Sequence, residues 1–257
     1  MSLYKVDIIV EARSKSKRFP NKVLKKIDNK TVLEIMINRL KNINGINDII
    51  IATTRNKEDE KIVQIAKKNN VKFYKGSEND VLKRVLLAAK KFKTEIIVEI
   101  TGDNILVDYK ISNEIVKFYL KNRKKYDFVS NDIEIYLDNK KSNGPLGFST
   151  KVFTTKILSK VDKLTKNPID REHVANYIVK NHKKFRIKNI SLPKFLKKEN
   201  FRLTMDYKQD YEVIKRVYKK LYPRNKNFTA IDIVDYFKKN PKIKLINFNC
   251  IQAKYIY

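Results

Sequence analysis

The stretch Val6-Asp7-Ile8-Ile9-Val10-Glu11-Ala12, followed by Arg13-Ser14-Lys15-Ser16-Lys17-Arg18-Phe19-Pro20-Asn21-Lys22, decides how this chain is read. Its first seven residues have the Val/Ile-rich centre of a strand buried on both faces of a parallel sheet. The ten that follow hold five cations and two serines. Cations and hydroxyls on a loop at the carboxyl end of a strand suit a triphosphate, which needs several donors around spread negative charge. A solvated basic turn has the same composition, so charge alone leaves both readings standing. The loop is neither a Walker sequence nor a G-x-G-x-x-G, so those nucleotide folds gain no support.

Working outward, Asp48–Thr54, Val71–Tyr74, Glu95–Thr101 and Asp127–Ser130 repeat the strand pattern. Helical patterns lie between them. Thr31 is the expected N-cap of the first, with Leu33, Ile37 and Leu40 on one stripe and Gly45 at the stop. The second, about 57–69, puts Glu58, Asp59 and Glu60 in its first turn, where the helix dipole favours them. The others cover about 80–92 and 111–124. Strand and helix in alternation predict an α/β fold, a mostly parallel central sheet flanked by helices, with ligands beyond the carboxyl ends of strands.

The second half predicts a loop around 139–146, a strand at 148–153, a helix near 171–182, and strands at 185–190 and 201–205. Helices at about 210–221 and 231–239 follow, separated by Pro223. No repeat or Pro/Gly/Ser-rich linker divides the chain. The expectation is a single domain over 1–257, its core about 1–222 and its end, 223–257, a basic helical appendage.

Among the 257 residues, 58 lysines and arginines against 28 acids give a net charge of +30. Such a balance raises nucleic-acid binding. The cations are mostly lysines spread through every segment beside many asparagines and isoleucines, all with AT-rich codons. No arginine-rich tail, zinc finger or helix-turn-helix spacing accompanies them, so nucleic acid is not the expected partner. One cysteine, Cys250, excludes an intrachain disulfide and a cysteine-built zinc site. The longest apolar run is the five residues Val85 to Ala89, far short of a membrane span. The first 13 residues lack a signal-peptide core, and the chain reads as cytoplasmic.

Two acids follow apolar stretches: Asp103 in Thr101-Gly102-Asp103 and Asp206 in Leu203-Thr204-Met205-Asp206. A strand-end carboxylate can reach a metal bound to phosphates, and magnesium takes one or two carboxylates plus phosphate oxygens and waters. An ordinary turn aspartate at 103, and a helix N-cap at 206, are the plainer readings. Gly76-Ser77-Glu78-Asn79-Asp80-Val81-Leu82-Lys83-Arg84 enters a helix with Asp80 as its cap. His173 is one of two histidines, a packing residue or a substrate contact.

Arg13–Lys22 with Val23-Leu24 also resembles the N-terminal signature of the cytidylyltransferases that make CMP-sugars, A-R-x-x-S-x-R-(L/F)-P-x-K-x-L. The spore coat polysaccharide biosynthesis protein F family, related to the Kdo and acylneuraminate cytidylyltransferases, is the nearest match. The similarity runs on through Ala52-Thr53-Thr54, the 76–84 stretch, Ile100 to Asp103, Val129-Ser130-Asn131, Arg171-Glu172-His173-Val174 and Arg202 to Asp206. The resemblance implies a GT-A-like nucleotidyltransferase fold whose first loop embraces the phosphates of CTP. It places Ala12, Arg13, Ser16, Arg18, Lys22, Ser77 and Arg84 at the nucleotide, with Arg13, Lys22 and Asp103 catalytic. It assigns Mg²⁺ to Asp103 and Asp206, and an acceptor sugar or sugar phosphate to Ser149, Arg171 and His173. The implied reaction releases pyrophosphate and activates a sugar for surface glycans, in an enzyme whose relatives are commonly homodimers. Lys15, Lys17 and Asn21 depart from the smaller residues common in that loop. Gly147-Phe148-Ser149 stands where relatives often have Gly-Leu-Asp. A GT-A glycosyltransferase that consumes a nucleotide sugar is the nearest alternative, and a basic nucleic-acid-binding protein the most distant.

Overall fold

Alternation within the first strand sets up two cores. In the computed structural model, which describes residues 4–133 and 144–251, β1 (Val6–Glu11) sends Ile8 and Val10 into one apolar cluster and Ile9 into the other. A two-stranded hairpin of β2 (Lys26–Ile27) and β3 (Lys30–Thr31) leads into α1 (Val32–Leu40). Then come β4 (Asp48–Thr54), α2 (Glu60–Lys68), β5 (Lys72–Gly76), α3 (Val81–Lys91), β6 (Ile96–Thr101), α4 (Tyr109–Asn122) and β7 (Phe128–Ser130). The later elements are β8 (Lys151–Thr154), α5 (Thr155–Leu164), α6 (Pro168–Glu172), α7 (Asn176–Lys180), β9 (Ile187–Asn189), α8 (Lys194–Lys197), α9 (Lys208–Leu221), α10 (Ala230–Lys239) and α11 (Lys242–Leu245).

The main sheet has seven strands in the order β5-β4-β1-β6-β8-β7-β9. All pair in parallel except β8, which runs against both β6 and β7. This is the expected mostly parallel sheet, and its helices cover both faces. Thr31 caps α1 as expected, within a capping box: the Thr31 hydroxyl accepts from the Glu34 amide at 3.2 Å, and Glu34 accepts from the Thr31 amide at 2.7 Å. Gly45 stands at φ 72° in the turn after α1, a conformation that favours glycine. Among the described residues no helix is long and apolar enough to cross a membrane.

Four local expectations need correction. The strand expected at 148–153 begins only at Lys151, because Asn131 takes the Phe148 carbonyl and the Thr150 amide with its side chain. The helix expected at 171–182 is two short helices with His173 extended between them. The break is held by Asp170, which accepts from the Thr165 hydroxyl and the Asn176 side-chain amide. Residues 201–205 form no sheet strand; Arg202 makes a single parallel bridge to Leu146. The segment expected to open α2 is a 3-10 turn, Lys57–Asp59. Of the loop expected at 139–146, residues 139–143 lie outside the described residues.

The C-terminal helices pack against the rest. Ile233, Val234 and Phe237 of α10 join the same core as Ile8 and Val10. Arg39 of α1, 5% exposed, donates to the carbonyls of Val107 at 3.0 Å and Phe228 at 2.9 Å and lies 4.3 Å from the Phe228 ring centroid.

Candidate active site

The basic loop is anchored at both ends. The Ala12 amide bonds Ala52 O at 3.2 Å, and the Asn21 amide closes the loop on Ser14 O at 2.8 Å. Asn21 takes φ 56°, which asparagine tolerates better than most residues. Asp59 holds the entrance: one carboxylate oxygen accepts from the Ser14 amide at 2.6 Å and the other from the Thr54 hydroxyl at 2.5 Å. Burial pushes the Asp59 carboxyl up, but those bonds outweigh it and hold the group below the ordinary aspartate range. The loop therefore projects its cations from a fixed base.

Those cations already have partners. Lys22 Nζ lies 3.0 Å and Arg18 Nη2 2.8 Å from the same oxygen of Asp206. Arg202 meets the other oxygen at 2.6 Å. Burial raises the Asp206 carboxyl, and Lys22, then Arg18 and Arg202, overcome it and hold it low. Arg13 reaches Glu78 O at 3.2 Å and Glu172 Oε1 at 3.4 Å. The Ser16 hydroxyl accepts from the Phe19 amide at 3.4 Å within the loop.

Gly102 and Asp103 turn at the end of β6, beside the loop. The Gly102 amide bonds Glu11 O at 3.1 Å, and a Cβ at this position would collide with that carbonyl. Asp103 accepts from the Thr101 hydroxyl at 2.5 Å, and its carbonyl accepts from the Met205 amide at 3.0 Å. That backbone bond brings the 203–206 segment against the β6 end, next to Asp103. Asp206 reaches it on an extended segment rather than on a sheet strand. Beyond Asp103 opens a cleft lined by Thr101, Asn104, Asn131, Asp132, Ser149, Lys151 and Thr204.

Of the proposed acceptor residues, Ser149 lines this cleft. Arg171 is a strut between α3 and α5, bonded to Asp80 at 2.9 Å and Asp162 at 2.8 Å. His173 feels the charges of Lys151 and Asp103, and burial pushes its imidazole pKa down. Ser77 and Arg84 lie behind the loop. Arg84 is 2% exposed and donates to the carbonyls of Ser77 and Glu78, so it shapes the 76–80 turn from inside. Sequence reasoning missed Asp59, Asp132 and the buried pair Glu99–Lys151, whose charges lie 3.2 Å apart. Ser14 lies 45 residues from Asp59, Ser149 17 from Asp132 and Lys151 52 from Glu99, so no short pattern marks these contacts.

The family profile described as cytidylyltransferase matches residues 8–233. The chain belongs to the cytidylyltransferase family. The family and the fold make the chain a nucleotidyltransferase. A cytidylyltransferase from Leptospira borgpetersenii superposes with a TM-score of 0.86 at 32% identity, covering 99% of both chains. An uncharacterized protein of Methanocaldococcus jannaschii, MJ1063, is 38% identical over 96% of each chain. The spore coat polysaccharide biosynthesis protein SpsF of Bacillus subtilis is 26% identical over 91% of this chain and 94% of its own. In this cytidylyltransferase no three His, Cys, Asp or Glu side chains among the described residues converge into a metal cage. Asp103 has a hard carboxylate oxygen at the rim, whereas both oxygens of Asp206 face Arg18, Lys22 and Arg202; one or two carboxylates with phosphate oxygens and waters are the donors that magnesium takes.

Proposed function

We propose that this cytidylyltransferase uses CTP to form a CMP-sugar, with release of pyrophosphate. The observation that carries the reading is the shared carboxylate: Arg18 and Lys22 of the strand-end loop both converge on Asp206, beside Asp103. When a triphosphate enters, these cations turn from Asp206 to its phosphates, and Arg13 adds a third donor. Asp103, with Asp206 released, would hold Mg²⁺. The chemistry such an ion would supply there is neutralisation of charge on the phosphate oxygens. The acceptor lies in the cleft lined by Ser149 and Asn131. Its oxygen attacks the α-phosphorus as the bond to the β-phosphate breaks. The protein positions both substrates and stabilises spread charge, so no covalent nucleophile is needed. The SpsF relative supports a role in surface polysaccharide synthesis.

Pyrophosphate release tests the reading, with the four common nucleoside triphosphates crossed against a sugar set that includes 3-deoxy-manno-octulosonate and N-acetylneuraminate. CTP should be preferred. Asp103→Asn should lower turnover by about a hundredfold or more while the melting temperature holds. No release with any pair, or parental turnover in the variant, would sink it.

A further inference from the structure

We propose that Asp132 is the catalytic base that takes the proton from the acceptor hydroxyl, an inference that rests on the nucleotidyl-transfer reading above. Asp132 lies just past β7, at the rim that also carries Asp103 after β6. Because β8 runs against its neighbours, the residues leading into it, Ser149 and Thr150, arrive at the same rim. The backbone there is pinned. Asn131 bonds Phe148 O and the Thr150 amide, each at 2.9 Å, and the Ile133 amide donates to the Asn189 side chain at 3.2 Å.

The carboxylate itself is aimed. One oxygen accepts from the Ser130 hydroxyl and the other from the Ser149 hydroxyl. Two fixed donors leave a carboxylate two further lone-pair directions, and this one lines the cleft that begins at Asp103. The other acids nearby do not line this cleft: Asp206 faces Arg18, Lys22 and Arg202, and Glu172 faces Arg13. Asp103 stands where the phosphates and their metal would be. The charged groups facing Asp132 are Lys151, 4.0 Å away and nearer to Glu99 at 3.2 Å, and Asp103 across the cleft. His173 senses both Lys151 and Asp103.

The step balances. The acceptor O–H bond breaks and its proton goes to the Asp132 carboxylate. The oxygen forms its bond to the α-phosphorus of the nucleoside triphosphate, and the bond to the β-phosphate breaks. Pyrophosphate leaves with that electron pair, and Asp132 later returns its proton to water. General-base assistance contributes about 10²- to 10⁴-fold in rate.

The test uses the intact chain, with the sugar and nucleotide pair that the parent turns over. Asp132→Asn should cut kcat by about 10²- to 10⁴-fold and leave CTP binding, read by calorimetry, unchanged. The fall of kcat on acidification seen in the parent should vanish in this variant. Asp132→Glu, which keeps the carboxylate, should recover much of the rate and the acidic limb. Ser149→Ala should raise the acceptor KM and keep the limb. Near-parental kcat in Asp132→Asn overturns the inference and leaves the nucleotidyltransferase reading standing. So does an equal loss of rate and melting temperature in the Asn and Glu variants, which marks a structural role. A parent that releases no pyrophosphate with any pair overturns both.

Discussion

Glu11 ends β1 with a carboxyl whose two oxygens are buried and have no hydrogen-bond partner among the described residues. Burial, reinforced by Glu99, pushes this carboxyl well above the ordinary glutamate range, against Lys151 and Arg84. A folded pKa above the unfolded one means that the neutral form is favoured in the fold. Its contribution to stability is full below the unfolded pKa and is lost as pH rises through the folded value. Glu11→Gln copies the neutral carboxyl, so its urea midpoint should match the parent at pH 4.5 and exceed it at pH 8. A gap that is the same at both pH values would refute the assignment. Asp59 and Asp206 have the opposite sign: their lowered carboxyls stabilise above the unfolded aspartate pKa, and that contribution is lost on acidification through the folded values.

Helix α1 shows how one element ties the chain's end to its beginning. Arg39 satisfies two carbonyls, one before α4 and one before α10, and burial pushes its guanidinium pKa down to about 10. Arg39→Ala strands both carbonyls in the core. It should cost about 2–4 kcal/mol in urea unfolding, since each unsatisfied group costs about 1–3, with an unchanged m-value; a loss below about 1 kcal/mol would show that the strut is dispensable. Where local chemistry suffices, elements were legible in the sequence: the Thr31 cap, the β1 pattern with its basic loop, and the Asp80 cap of α3. What was not legible depends on distant partners. Nothing in Phe201 to Met205 shows that its amides bond Leu146 and Asp103 instead of a sheet neighbour. Arg171 to His182 has a helical composition, and only the Asp170 bonds to Thr165 and Asn176 reveal the break. Asp59 was read as a dipole acid, whereas the Ser14 amide, 45 residues away, makes it the anchor of the basic loop.

Over the whole molecule the charge of +30 is dispersed. Lys72, Lys75, Lys83 and Arg186 each meet an acid, and Lys25, Lys26, Lys61 and Lys68 border an open groove near the hairpin. Such a field attracts any polyanion at low salt. A mixed-sequence DNA duplex followed by fluorescence anisotropy should bind weakly, losing about 10³-fold or more in affinity between 50 and 200 mM salt. Tight, sequence-selective binding at 150 mM would instead make nucleic acid a partner. The reversed strand β8 has a different consequence, one for heredity. Through it, the Asn131–Asp132 turn and the Ser149–Lys151 approach form one wall, whereas Arg13, Lys22 and Asp103 come from the first 103 residues. On the proposed function, the loop for the triphosphate and the wall for the acceptor are written in successive stretches of the gene, with Asp206 returning to the loop from beyond both. On that reading, exchange within the later stretch would change which sugar is accepted while the earlier stretch is inherited intact.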